Sequence, residues 1–203
     1  MICIPTIRSM TTQSSLENLN TCTPEVFCSA LADIWEHAPW VAQGVVGQRP
    51  FATVDALHAA MVAVVAGLDE AARVAFYAGH PELAGEDARR GTMTEASVAE
   101  QGTLSLAQLD THEAERWSAL NRAYRARFGF PFILCIRRHT LASALQAFEQ
   151  RLDHDRATEL AITLDEIAAI TRLRLGRLMS DMPATPVLSD VSQAASHGES
   201  LPS

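Results

Sequence analysis

No run of about 18 uninterrupted apolar residues occurs in the sequence, so no segment is expected to span a membrane. Aromatic residues are scarce at 6%, which leans the expected core toward aliphatic helix packing. Positive charge is short too: 16 Lys and Arg stand against 24 Asp and Glu, for a net charge of −8. That deficit removes the broad basic footprint of a nucleic-acid binder. The four cysteines, Cys3, Cys22, Cys28 and Cys135, form no C-x-x-C pair. Neither a zinc site nor a redox pair is expected, and thiols in a reducing compartment are the natural reading. The opening apolar run from Ile2 to Ile7 is broken by Pro5 and is too short for a signal sequence, so the cytoplasm is the default expectation. There is no P-loop, dinucleotide fingerprint or G-x-S-x-G elbow, and the histidines show no recurring metal-ligand spacing. No metal and no cofactor is expected.

What the chain does have is length and helical periodicity. Its 203 residues, 48% of them hydrophobic, suffice for one domain with a substantial core. Residues 1–22 and 181–203 are rich in Ser, Thr, Asn and Pro without a sustained apolar period, and read as flexible arms around a helical domain at 23–180. Thr23-Pro24-Glu25 and Thr53 with Asp55 read as helix starts. Leu57, Met61, Val64 and Leu68 form the stripe of the second helix. Asp69 opens a third that stops at Gly79, read as a left-handed cap. Thr94 starts a short fourth, and Ser105–Gln108 resembles the capping box of a long fifth that ends at Gly129. Helices from Thr140 and from about Asp155 to Leu178 complete the domain. Nothing alternates between strand and helix, so the expected class is all-α, a single compact domain of about seven or eight helices.

Four local features stand apart from this scaffold. His80 lies between Gly79 and Pro81, held off the helix with a pKa near neutrality; it serves either chemistry or the capping of a helix carbonyl. Ser97, Glu100 and Gln101 share one face of the short helix that Thr94 opens, lining a pocket or facing water. Phe130 to Ile136 is apolar, contains Pro131 and reads as extended backbone crossing the interior. Its N–H and C=O groups need partners, whether a ligand, a side chain or water. Arg174 falls on the inward stripe of the last helix with Leu160, Leu164, Ile167, Thr171 and Leu178. An inward arginine needs an anion, from the protein or from a substrate.

Taken in order, these segments resemble one family. His80-Pro81-Glu82-Leu83-Ala84-Gly85 is similar to its HPxLxG segment, and Thr94 to Gln101 to its T-x-x-S-x-x-E-Q. Leu120-Asn121, Tyr124 and Arg127-Phe128-Gly129-Phe130-Pro131-Phe132-Ile133 follow its LN-x-x-Y-x-x-[KR]FG[FY]-x-FI pattern. Glu166-Ile167, Ile170 and Leu173-Arg174-Leu175 follow its closing E-[IV]-x-x-I-x-x-LRL. The family is that of the 2-oxo-4-hydroxy-4-carboxy-5-ureidoimidazoline (OHCU) decarboxylases, all-helical and usually homodimeric enzymes of urate breakdown that need no cofactor.

The resemblance implies that His80 is the catalytic histidine and Glu100 its acidic partner. Ser97 and Gln101 become substrate hydrogen-bonders, Arg174 a clamp on an anion or carbonyl, the Phe132 and Ile133 backbone a further contact, and Pro81 part of the wall over the substrate ring. It further implies a small-molecule substrate, a homodimer, and functional coupling to a hydroxyisourate hydrolase. Two other readings accompany it: a related decarboxylase or tautomerase acting on another small anionic heterocycle, and a non-catalytic helical binding module. The sequence departs from the family pattern at Arg137-Arg138, where a glycine commonly follows the basic residue, and Arg138 is expected to bring charge to the edge of the site.

Overall fold

A computed structural model describes residues 15–85 and 109–182. Among these residues the regular structure is helical, with no strand, so the all-α expectation holds. We number the helices α1 (residues 15–21), α2 (Pro24–Ala30), α3 (Trp40–Val45), α4 (Val54–Ala66), α5 (Glu70–Ala78), α6 (Thr111–Phe128), α7 (Leu141–Leu152) and α8 (Arg156–Asp181). Short 3₁₀ turns follow α3 at Val46–Gln48 and precede α7 at Ile136–Arg138.

The helix starts obey local chemistry. Thr23, Thr53, Asp69, Thr140 and Asp155 each accept a backbone N–H of the first turn, satisfying a donor that the helix itself leaves free. The reciprocal capping box of α6 is Asp110 with Glu113, whereas Ser105–Gln108 lie outside the described residues. Gly79 ends α5 with φ −76°, so it is not the left-handed cap its position suggested. Gly129 is one, at φ +83° after α6. A Cβ there would meet only Val74 at 3.7 Å, so the cost of a side chain is conformational rather than steric. Gly129→Ala should therefore lower stability by about 1–2 kcal/mol, read as a fall in thermal midpoint.

Two departures from the sequence reading concern the N-terminal half. Within the expected arm at 1–22, residues 15–21 are helical, and Leu16 and Leu19 are buried at 1% exposure. Ser15 Oγ donates to the Met179 carbonyl at 2.8 Å, tying this turn to the end of α8. A pair of leucines three apart is too short a period to betray a helix that α8 stabilises from outside. The second departure is α3, which Pro39 opens and for which the sequence reading named no helix start. On α4 the fully buried stripe is Leu57, Met61 and Val65, one residue off the expected Val64.

α4 packs against both α3 and α8, and α6 against α7. Between α6 and α7 the extended segment from Phe130 to Ile136 runs through the core, with Phe132 stacked on Phe148 at 3.9 Å between centroids. Its backbone is held by side chains. Arg151 donates to the Ile133 carbonyl at 2.8 Å, and the Cys135 N–H donates to Glu166 at 2.7 Å. Arg151 belongs to a buried network in which Glu159 accepts from Arg151 Nε at 2.8 Å, from the Tyr124 hydroxyl, and from His154 Nδ1 at 2.9 Å. The Thr163 hydroxyl accepts from Arg151 at 3.1 Å.

Candidate active site

One cleft collects the described candidates. His80 and Pro81 come from the end of α5, Phe132 and Ile133 from the extended segment, and Arg174 from α8. About 630 Å³ of free space, part of it open to solvent, lies among them. Leu83, Ile167 and Ile170 add an apolar wall of the kind that surrounds small-molecule sites, with Cys135 and Thr171 beside them. Ser97, Glu100 and Gln101 lie outside the described residues.

The loop carrying His80 is braced at several points. The His80 N–H donates to the Tyr77 carbonyl at 3.0 Å, which continues the turn past α5. Downstream, Asn121 of α6 donates to the Leu83 carbonyl at 2.9 Å and Arg125 to Glu82 at 2.8 Å. Ala84 takes φ 53°, and a Cβ on Gly85 would come within 2.6 Å of Glu82 Cβ, so only glycine completes this tight turn. The glycine of the HPxLxG segment and the asparagine of LN-x-x-Y thus serve the same loop.

His80 combines the two roles that its sequence position left open. Its Nδ1 lies 3.2 Å from the Phe76 carbonyl, an acceptor only, so Nδ1 carries the proton and Nε2 is the basic nitrogen of the neutral ring. Burial pushes its pKa down to about 4, opposed by the nearby Glu36 carboxylate and the Phe76 carbonyl and reinforced by Arg174. At neutral pH the ring is uncharged. It can accept a proton or a hydrogen bond from a ligand at Nε2.

Arg174 points inward, as the period of α8 requires, and its anionic partner is a protein carboxylate. Its Nη1 lies 2.8 Å from Glu36 Oε2, with the two side chains 9% and 3% exposed. Glu36 also lines the cleft, and sequence reading missed it. It sits 138 residues away in a loop, and the signal available was an acid flanked by Trp35 and His37. His37 beside it takes φ 51°, a left-handed conformation uncommon outside glycine. On the outer side of α8, Arg172 pairs with Asp55 at 2.7 Å, in keeping with its place off the inward stripe.

The basic pair on the 3₁₀ turn divides differently from expectation. Arg137 lines the cleft and Arg138 does not, although both are exposed. The turn points successive side chains in different directions, so the residue nearer Ile136 faces the opening.

A helical fold with a neutral histidine, a carboxylate-paired arginine and extended backbone around a small cleft defines the site of a small-molecule enzyme. The family comparison makes it specific: residues 20–176 match the OHCU decarboxylase family model, and the chain belongs to that family. It is 37% identical to the 2-oxo-4-hydroxy-4-carboxy-5-ureidoimidazoline decarboxylase of Haloferax volcanii, over 82% of this chain and 96% of that protein. It is 32% identical to the uric acid degradation bifunctional protein PucL of Bacillus subtilis, over 88% of this chain and 35% of that protein. The crystal structure of an (S)-allantoin synthase superposes with a TM-score of 0.65 at 28% identity, over 80% of this chain and 53% of that one.

Proposed function

We propose that this chain decarboxylates 2-oxo-4-hydroxy-4-carboxy-5-ureidoimidazoline to (S)-allantoin in urate catabolism. The observation that carries the reading is the meeting of His80, Pro81, the Phe132–Ile133 backbone and Arg174 in one cleft of an OHCU decarboxylase fold. It is a carboxy-lyase.

In the reaction the bond from C4 to the carboxylate breaks, and its electron pair passes into the C4–C5 bond and onto ring nitrogen. The ring nitrogen takes up one proton from solvent, the C4 hydroxyl gives up its proton to become a carbonyl, and C5 gains one, for a net uptake of one proton. His80 Nε2 is the acceptor for the hydroxyl proton, with Nδ1 held by the Phe76 carbonyl. Arg174, paired with Glu36, contributes donors without net charge, suited to oxygen or nitrogen on which charge develops. Pro81 walls the ring, and Ile133, whose carbonyl is held by Arg151, fixes the backbone contact. Glu100 is assigned as the acidic partner of His80, and Ser97 and Gln101 as hydrogen-bonders to the substrate. Protonation of C5 from one face gives one enantiomer.

The same reading makes the protein a cytoplasmic homodimer that receives its unstable substrate from a hydroxyisourate hydrolase. Cys22, Cys28 and Cys135 are in no disulfide, which suits a reducing compartment. Sedimentation at micromolar concentration checks the dimer. The activity itself is tested by circular dichroism, with urate, urate oxidase and a hydroxyisourate hydrolase generating the substrate in place. Rapid optically active product supports the assignment; only slow racemic background sinks it. Arg174→Lys should lower kcat about 10²-fold, because an ammonium keeps the charge opposite Glu36 but loses the planar fork of donors. A variant with full activity would remove Arg174 from the reaction.

A further inference from the structure

The charges lining the cleft do not balance an anionic substrate in the way Arg174 alone suggests. Arg174 is already compensated by Glu36 at 2.8 Å, both nearly out of solvent, and a neutral His80 adds no charge. A substrate carboxylate entering a cleft with no net positive charge would lose its hydration without gaining a counter-ion. Arg137 is the other charged side chain on the described lining. It stands on the exposed 3₁₀ turn at Ile136–Arg138, which directly follows the extended segment that forms the cleft floor. Among the described residues Arg137 makes no ion pair or hydrogen bond, whereas Arg116, Arg125, Arg151, Arg156, Arg172 and Arg174 each pair with a carboxylate.

Resting on the decarboxylase reading, we propose that Arg137 is a substrate-binding residue at the mouth of the cleft, which captures the carboxylate that the reaction later expels as carbon dioxide. The consequence is asymmetric. The substrate carries this carboxylate and the product does not, so Arg137 attracts what enters and has no hold on what leaves. A contact with the carboxylate, still partly bonded to C4 in the transition state, stabilises the bound substrate and the transition state alike. It therefore lowers KM without raising kcat. A cation exposed at the rim is also screened by salt. The second arginine of the pair, Arg138, plays no part, because it does not face the cleft.

The test compares Arg137→Gln, Arg137→Lys and Arg138→Gln with the wild-type protein, using the substrate generated in place and (S)-allantoin as product inhibitor. Arg137→Gln should raise KM about tenfold, the loss of one charge-assisted contact, with kcat unchanged. Its KM should lose most of the salt dependence seen in wild type, while the inhibition constant of (S)-allantoin stays the same. Arg137→Lys should recover most of the affinity, and Arg138→Gln should behave as wild type. An unchanged KM in Arg137→Gln overturns the proposal, and so does an equal weakening of (S)-allantoin inhibition, which would mark a structural role. The same KM change in Arg138→Gln overturns it too, since any nearby positive charge would then suffice. A wild-type protein without turnover sinks the decarboxylase reading and this inference together, an outcome distinct from active enzyme with an indifferent Arg137.

Discussion

His80→Asn is expected to lower the rate of (S)-allantoin formation by about 10²–10⁴-fold, with the far-ultraviolet circular dichroism unchanged. Asparagine can still donate to the Phe76 carbonyl from its amide, so the end of α5 keeps a cap, but it offers no basic nitrogen in place of Nε2. The pH profile carries a second signature. An ordinary histidine titrates near 6.5, while burial holds His80 at about 4. The acid limb of kcat/KM for the wild-type enzyme should therefore lie near pH 4 rather than 6.5. Glu36→Gln should move it lower still, because a negative charge that raises the pKa is gone. An acid limb at 6.5 would show that the ring is not desolvated in the working enzyme. The linkage to stability has the same sign. Between about 4 and 6.5 the unfolded chain binds more protons than the native one, so the stability present above 6.5 is lost as pH falls through that window.

Glu159→Gln should cost the most stability of any single change considered, about 3–5 kcal/mol, because it leaves Arg151 buried without its counter-ion. Glu159 is fully buried and takes hydrogen bonds from Arg151, His154 and Tyr124. For a chain of this length the loss corresponds to a fall in thermal midpoint of roughly 6–20 °C. The effect should reach the cleft as well. Arg151 holds the Ile133 carbonyl and lies 4.6 Å over the Phe132 ring, so loosening it frees the segment that forms the cleft floor. A reduced kcat at temperatures where the variant remains folded would be the sign of that coupling. A midpoint within 2 °C of wild type would mean that Arg151 has found another partner and that the network is not a stability centre.

Sequence alone determined the elements whose causes are local. Caps at Thr23, Thr53, Asp69, Thr140 and Asp155, the glycine stop at Gly129 and the 3.6-residue stripe of α8 all follow from residues a turn or two apart. The same period turned Arg174 inward and Arg172 outward. Proline and an apolar run too short for a helix marked Phe130–Ile136 as extended. The order and spacing of these pieces carried the family, and with it the roles proposed for His80 and Arg174.

Only the tertiary structure decided what each of them touches. Glu36 and Arg174 meet across 138 residues, and no period or cap signals such a pair. Arg151 and Glu166, unremarkable on their own helices, supply the partners that the extended backbone requires. The turn at Ile136–Arg138 selected Arg137 rather than Arg138 for the cleft, a choice between identical neighbours. The helix at residues 15–21 exists because α8 receives Ser15 and the core receives Leu16 and Leu19. Local rules govern backbone conformation because their energies act within a turn, whereas burial and charge pairing depend on distances that exist only once the chain has folded.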